Sequence, residues 1–328
     1  MPDTLTVVIP CYNEARFLSR TLAALAAQTR PADEILLVDG DSTDDTGALA
    51  RDLAAELGLP LRVLTNPDRH IPHALNLGIA AATGRFIARL DGHSQPADDY
   101  LEACLKAWTE SGADIVGGSW LVEPGANTDT AEAIAIAART PLGSGGAAYR
   151  DDGAQAHDAD TVPFGFFEKR LWTALGGYNE TLLTNEDYEF ALRARRQGGR
   201  VRFDPRIRCV YFARANLGAL AEQYWRYGLW KGRMLRQHPD SLRPRQAVPA
   251  LWAGGTVALG LASLVSPFLR RLALVVLSFY GIMVTVEAVR QSQANRSIWP
   301  RLSIAYSIIH YAWGFGVWIG LFSRRSKA

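Results

Sequence analysis

The sequence predicts an α/β fold: a mostly parallel sheet with flanking helices, followed by a C-terminal helical region that enters a membrane. Three observations carry this. Between Leu5 and Trp120, apolar runs of strand length alternate with runs of helical periodicity. Polar clusters follow three of the strands, at the edge where ligands bind in such sheets: Cys11-Tyr-Asn-Glu14, Asp39-Gly-Asp-Ser42 and Asp91-Gly-His93. Long uncharged stretches occur only after Gln246.

Taken in order, Leu5–Pro10 is a continuous apolar strand bounded by Pro10. Phe17, Leu18, Leu22 and Leu25 recur at helical spacing across Ala15–Ala27. Glu34–Asp39 is a second buried-type strand. Thr43-Asp-Asp-Thr46 offers a capping hydroxyl and early acidic residues for a helix that runs to Leu57 and stops at Gly58. Leu61–Thr65 is a third strand, and Pro72–Ala82 a helix closed by Gly84. A short strand from Phe86 then runs out into Asp91-Gly-His93, where Gly92 permits a tight turn and close approach to a ligand. A helix over Pro96–Ser111 and a strand over Asp114–Trp120 follow.

The pattern weakens between Pro124 and Asp160, where Gly143-Ser-Gly-Gly146 and Asp151-Asp-Gly153 suggest a mobile lid or binding loop. Short helices are expected at Glu168–Leu175 and Glu186–Gln197, and short strands at Val201–Phe203 and Cys209–Phe212. No GxGxxG follows the first strand, which argues against a dinucleotide site.

The 328 residues are enough for one large or two modest domains. A formal net charge of +2 gives no reason to expect a nucleic-acid partner. Cys11, Cys104 and Cys209 are widely spaced, form no metal motif and fit a reducing compartment. The N-terminus runs straight into a strand and shows no signal peptide pattern. The uncharged runs are Ala247–Leu269, Leu272–Val286 and Leu302–Ser323, with Trp252, Trp299, Trp313 and Trp318 in or beside them. Such runs suit a bilayer core of ~30 Å, and tryptophans favour its interfaces. Leu217–Arg236 mixes Trp225, Tyr227 and Trp230 with Arg226, Lys231 and Arg233. It reads as an in-plane interfacial helix, with a domain-closing helix as the alternative.

Six ordered blocks now carry a resemblance: Val8–Glu14, Leu37–Asp44, Ala74–Gly78, Arg89–His93, Gly176–Glu180 and Asn185–Glu189. Across about residues 5 to 215 the chain resembles family-2 inverting glycosyltransferases with the Rossmann-like GT-A fold. It looks most like the membrane-attached enzymes of succinoglycan-type exopolysaccharide synthesis. The resemblance implies a nucleotide-sugar site in which Pro10, Tyr12 and Glu14 line the base and ribose pocket and Asp39, with Asp41 near it, accepts the base N–H. Such a carboxylate suits uracil, so the donor is expected to be a UDP-sugar. Arg69 and Asn76 fall where the family contacts phosphate or ribose. His70 and His73 read more simply as solvated loop histidines.

Asp91 and His93 match the family's DxD, with His93 replacing the second Asp. That position implies a divalent metal, and an imidazole ligand favours Mn²⁺ over Mg²⁺. Asp187 is the expected catalytic base, with Glu186 as its competitor; the simpler reading of both is complementation of a helix dipole. Arg226 and Lys231 are candidates to clamp a diphosphate on the donor or the lipid acceptor, or to snorkel at the membrane surface.

The expected organisation is a glycosyltransferase domain over 1–215, an amphipathic helix and basic connector over 216–248, a hydrophobic membrane region over 249–323 and a basic tail over 324–328. Basic residues from Lys231 to Arg245 place the catalytic domain on the cytosolic side of the cytoplasmic (inner) membrane. Three full spans would put Arg270, Arg271 and the tail outside, so one run, or a hairpin of the first two, is expected to be re-entrant or interfacial. The expected reaction moves a hexose from a UDP-sugar to a polyprenyl-diphosphate-linked sugar. A polyprenyl-phosphate sugar synthase and a non-catalytic sugar-binding scaffold are the rival readings.

Overall fold

The computed structural model describes residues 3–151 and 153–323. The chain divides into two compact units, Met1–Leu121 with Asp152–Tyr211, and Val122–Asp151 with Phe212–Ala328.

The first unit opens with β1 (Leu5–Cys11), α1 (Ala15–Ala26), β2 (Glu34–Asp39), α2 (Thr46–Leu57), β3 (Leu61–Thr65), α3 (Ile71–Ala81) and β4 (Phe86–Arg89). β5 (Gln95–Pro96), α4 (Tyr100–Ser111) and β6 (Ile115–Glu123) follow. All seven residues of β1 are buried, as a central strand covered on both faces requires. Leu18, Leu22 and Leu25 of α1 reach the same core as Val7, Ile9, Ile35 and Leu37. Left-handed glycines at Gly58 and Gly112 end α2 and α4.

After the second unit's insertion come β7 (His157–Asp158), β8 (Phe166–Glu168), α7 (Lys169–Leu175), α8 (Glu186–Arg196) and β9 (Val201–Phe212). The nine-stranded sheet runs β3-β2-β1-β4-β8-β6-β9-β5, with β7 beside β9. The α/β architecture is the expected one, and its first four strands pair in parallel. The other half is antiparallel, because β8 enters beside β4 and β6 in the reverse direction. The sheet is therefore mixed rather than mostly parallel. β8 went unread, because three residues carry too little periodicity. The two short strands expected at 201–203 and 209–212 are one strand, β9.

In the second unit, the stretch expected to be a mobile loop contains α5 (Asp129–Arg139) and α6 (Pro141–Ser144). Thr128 caps α5, its side chain accepting from the Ala131 N–H at 3.2 Å. Ala131 and Ala133–Ala138 are buried. That nearly continuous burial explains why no amphipathic period announced the helix.

α9 (Leu217–Gln237), α10 (Pro244–Ala262), α11 (Pro267–Gln291) and α12 (Trp299–Phe322) complete the unit. The expected first apolar run is broken by a turn between α10 and α11, and the second lies inside α11 together with Arg270 and Arg271. Two helical stretches, Pro267–Gln291 and Arg296–Phe322, are long and apolar enough to cross a membrane. They differ in surroundings: 17% of the apolar window of the first is buried, against 44% of the second. Leu264, Val265, Phe268 and Phe279 stand exposed on and beside α11.

α9 lies against α12 through glycines on both helices. A Cβ on Gly228 would meet the Trp313 carbonyl oxygen at 2.2 Å, and one on Gly320 the Leu229 carbonyl oxygen at 2.1 Å. α9 is thus a packed element of this unit, closer to the domain-closing alternative than to a helix resting on lipid alone. The basic tail at 324–328 lies outside the described residues.

Candidate active site

Four parallel strands end side by side, and each end contributes to one polar cluster. The ends are knitted by backbone bonds: Gly40 N–H to the Cys11 carbonyl (2.8 Å), Asn66 N–H to the Asp39 carbonyl (2.7 Å) and Leu90 N–H to the Val8 carbonyl (3.1 Å). Asn13 spans the first two ends, its N–H donating to Ser42 Oγ at 2.9 Å and its Oδ1 accepting from Thr43 N–H at 2.8 Å. Of the five non-glycine residues with positive φ among the described residues, Asn13, Asp41 and Arg69 lie on these ends and Asn185 precedes α8. Left-handed backbone at ordinary residues costs roughly 1 kcal/mol or more each, and such strain gathers at functional sites.

The residues expected on the nucleotide side divide in two. Tyr12 is exposed, with the Arg69 guanidinium 5.9 Å from its ring centroid, and Arg69 pairs with Asp41 at 2.7 Å. Asp39 Oδ1 accepts from the Ser42 N–H at 3.3 Å and from its hydroxyl, which fixes the carboxylate at the end of β2. Tyr12, Asp39, Asp41 and Arg69 form one surface. Pro10, by contrast, is buried inside β1 opposite Val38 and offers no side-chain surface to a ligand.

Asn76 is occupied. Its amide nitrogen donates to the Tyr178 carbonyl and to Glu180 Oε1, while its oxygen accepts from Tyr178 N–H and Trp172 Nε1. These bonds spend both ends of the amide on joining α3 to the Gly177–Glu180 turn, so Asn76 is a structural tie. His73 stands 3.6 Å from Glu180 at that turn.

Glu14 is also reassigned. Its Oε1 accepts from His93 Nδ1 at 2.8 Å, not from a group of the expected base pocket. Gly92 makes this possible: a Cβ there would meet Cys11 Sγ at 2.6 Å and Glu14 Cγ at 3.1 Å. A carboxylate accepting from Nδ1–H fixes the tautomer that carries its lone pair on Nε2. Carboxylate-to-imidazole pairing of this kind orients histidine ligands of metals. Asp91 and His93, the ligands expected from the sequence, would offer one oxygen and one nitrogen donor to a divalent metal; no cluster of three or more His, Cys, Asp or Glu side chains that could hold a metal occurs among the described residues.

The residue to which the sequence analysis gave no role is Arg89, the last residue of β4. It is buried, and its guanidinium meets three carboxylates: Asp91 Oδ1 (3.1 Å), Glu186 Oε1 (2.8 Å) and Asp187 Oδ1 (2.6 Å). A buried charge persists only when paired, and Arg89 is paired three times over. An arginine two residues before an aspartate at a strand tip was the available signal. What sequence could not supply is that α8 brings Asn185-Glu-Asp187 against that tip.

Burial pushes the Asp187 carboxyl up; Arg89 opposes this, and Glu186 and Asp91 add to it, leaving the group at about 7. Asp187 keeps 25% of its side chain exposed, whereas Glu186 keeps 8%. Exposure therefore favours Asp187 as the group able to meet an incoming hydroxyl.

The last two candidates lie in the second unit. Arg226 is exposed on α9. Lys231 is only 1% exposed, and its ammonium donates to the Ser241 carbonyl at 2.9 Å. It anchors the 239–241 turn to α9 and is not presented to a diphosphate, so that expectation is corrected. Cys11, Cys104 and Cys209 are free and buried.

Residues 6–172 match the family model described as glycosyl transferase family 2. The chain is 30% identical over 325 residues to the succinoglycan biosynthesis protein ExoA of Rhizobium meliloti (strain 1021), covering 98% of this chain and 96% of that protein. It is 26% identical to a dolichyl N-acetyl-alpha-D-glucosaminyl phosphate 3-beta-D-2,3-diacetamido-2,3-dideoxy-beta-D-glucuronosyltransferase of Methanococcus voltae, covering 71% of this chain and 74% of that one. Among solved structures it is similar to the mannosyltransferase PcManGT of Pyrobaculum calidifontis in complex with GDP-Man and Mn²⁺, with a TM-score of 0.62 at 20% identity over 93% of this chain and 86% of that chain. That likeness concerns the GT-A fold alone. With strand-end clusters of the expected form, a family match across half its length and a relative matched end to end, the chain belongs to glycosyl transferase family 2.

Proposed function

We propose that this glycosyltransferase moves a hexose, with inversion, from a UDP-sugar to a polyprenyl-diphosphate-linked sugar at the cytosolic face of the inner membrane. The observation that carries the reading is the Arg89-centred cluster, which joins the expected metal carboxylate Asp91 and the partly exposed acid Asp187 through one guanidinium. The Rhizobium relative acts in succinoglycan biosynthesis, and the Methanococcus relative is named for a dolichyl-phosphate-linked sugar. The first supports a place in polysaccharide assembly and the second a lipid-linked acceptor. The exposed apolar residues of α11 support membrane attachment.

In this reading Tyr12, Asp39, Asp41 and Arg69 receive the nucleotide, with Asp39 accepting the uracil N–H. Asp91 and His93, the latter oriented by Glu14, hold a divalent metal, Mn²⁺ in preference to Mg²⁺. When bound, the metal stabilises the negative charge that develops on the leaving diphosphate. Asp187 is held through Oδ1 by Arg89 and turns Oδ2 to the acceptor. The acceptor oxygen bonds to the anomeric carbon on the face opposite the diphosphate as the bond to the diphosphate oxygen breaks. The hydroxyl proton passes to Asp187, and UDP leaves. Arg226 remains the candidate contact for the lipid diphosphate. The PcManGT complex contains Mn²⁺ and GDP-Man, which supports a metal and leaves the base open to test.

The test is incubation of membranes holding the full chain with a panel of UDP- and GDP-sugars, a lipid extract and Mn²⁺, followed by mass spectrometry. A hexose added to a polyprenyl-diphosphate sugar from a UDP donor is expected. Transfer from GDP-sugars alone, or onto bare polyprenyl phosphate, would overturn the donor or the acceptor assignment.

A further inference from the structure

Both α11 and α12 have the length and composition of a membrane span, but their surroundings differ. Leu274, Val275, Phe279, Ile282 and Val286 stand exposed along α11, whereas from Ala305 to Trp318 no residue of α12 is exposed. α12 is also tied to polar groups along its length. Just before it, Asn295 Nδ2 donates to Glu132 Oε2 at 3.1 Å and Ser297 Oγ to Asp129 Oδ2 at 3.4 Å. In its first turn Arg301 pairs with Asp129 at 3.4 Å. Further along, the Tyr306 and Thr140 hydroxyls share a buried hydrogen bond of 2.8 Å, and His310 Nε2 donates to the Leu142 carbonyl at 2.8 Å. At the end, the Ser323 carbonyl accepts from Arg236 Nη1.

We propose that α12 does not cross the lipid bilayer: it is an internal strut held on one side by α5, α6 and α9, and the α10–α11 hairpin alone enters the lipid, crossing it out and back. The inference rests on the reading of this protein as membrane-attached.

Close packing fixes the side of the α12 C-terminus. Gly228 and Gly232 of α9 lie against the Trp313 and Val317 carbonyls, and Gly316 and Gly320 of α12 lie against those of Trp225 and Leu229. The two helices therefore run side by side in the same direction. Over that contact α9 carries Arg226, Lys231, Arg233 and Arg236. Charged side chains are costly in a hydrocarbon core. The stretch of α9 and the half of α12 bound to it accordingly lie outside that core. A crossing helix needs about 20 residues clear of extramembrane partners. The ties at Arg301, Tyr306, His310 and Ser323, with the α9 contact between the last two, leave α12 no such stretch.

The hairpin has what α12 lacks. It is uncharged from Ala247 to Leu269 and from Leu272 to Val286. At 1.5 Å per residue, Val248 to Ala262 of α10 rises roughly 21 Å. The turn beyond it presents Leu264 and Val265, and Arg270 and Arg271 follow near the start of α11. The turn and the long arginine side chains extend the reach toward the ~30 Å of a bilayer core, where guanidinium groups meet the phosphates of the far headgroups. At the other end of α11, Glu287 and Arg290 pair at 3.7 Å and mark the near side. Two crossings return the chain to the side it left, and the C-terminus stays there with α9.

The test uses the full chain in the inner membrane of a bacterial host. Green fluorescent protein, which fluoresces only in the cytosol, and alkaline phosphatase, which is active only outside it, are fused in turn to the C-terminus. Fluorescence without phosphatase activity is expected. In parallel, Val265→Cys at the hairpin turn is exposed to a membrane-impermeant maleimide in intact spheroplasts. It is expected to take label severalfold above the wild type, whose cysteines are buried. Phosphatase activity at the C-terminus, or no gain of label at Val265→Cys, would overturn the proposal while leaving membrane attachment intact. Release of the protein from membranes by alkaline carbonate would overturn membrane attachment itself.

Discussion

In the proposed reading Asp187 is the base, and its ionisation sets what the site can do. A base must be ionised to take a proton, and burial holds this carboxyl near 7. The rate at limiting substrate should therefore fall about tenfold per pH unit below 7 and level off above it, measured as kcat/KM. Asp187→Asn should lower kcat by about 10²–10⁴-fold with little change in donor KM, and Glu186→Gln should cost less. The stability sign is the opposite. A folded-state value raised above the unfolded one near 3.9 favours the folded protein when the group is protonated, and that advantage is lost as pH rises through about 7. Asp187→Asn should accordingly raise Tm at pH 8 while removing activity. At the metal, His93→Asp should move the preference from Mn²⁺ toward Mg²⁺, and Glu14→Gln should weaken Mn²⁺ retention, read by spin resonance, more than it weakens nucleotide binding. The sequence blocks containing Asp91 and Asp187 were legible as polar ends of a strand and a helix, and the structure joins both to Arg89. Residue identity misled for Glu14, Asn76 and Lys231. A polar residue in the right block can spend its bonds on the fold, and only the partner reveals it.

At the scale of elements, β1 to β4, the helices between them, α4 and β6 were legible from their periods, while the two-residue β5 was not and its Pro96 falls in the stretch expected to be helical. Other elements without a clear period were not legible either: α5 is apolar nearly all round, and β8 is three residues long. The α9–α12 contact was invisible for another reason, since glycines at positions 228, 232, 316 and 320 look like flexibility in a sequence and act as close-packing sites in the structure. Gly232→Val puts a Cβ 2.2 Å from the Val317 carbonyl oxygen, where the neighbour is backbone and cannot yield. It should destabilise the second unit by about 1–3 kcal/mol, seen as a lowered Tm. Gly260→Ala in α10 meets nothing within 4 Å and should be tolerated.

At the scale of the whole molecule, the chain contains a strand-end polar cluster and a helical unit that exposes Leu264, Val265, Phe268 and Phe279. Exposed apolar surface of this kind fits lipid. Replacing these four together by serine should shift the protein from the membrane pellet to the soluble fraction without changing UDP binding. The split of the helical region was only partly legible, because uncharged runs mark apolar composition and not where a helix turns. α10, α11 and α12 redraw the three runs as a hairpin and a more buried helix. The central claim is that Asp187, held by Arg89, serves an inverting transfer. It is tested most directly by the anomeric configuration of the lipid-linked product, determined by nuclear magnetic resonance after transfer from an α-linked UDP-hexose by wild type and by Asp187→Asn. The account predicts a β-linked product from the wild type and a loss of about 10²-fold or more in its yield rate from the variant. An α-linked product, or an undiminished rate from Asp187→Asn, would contradict it.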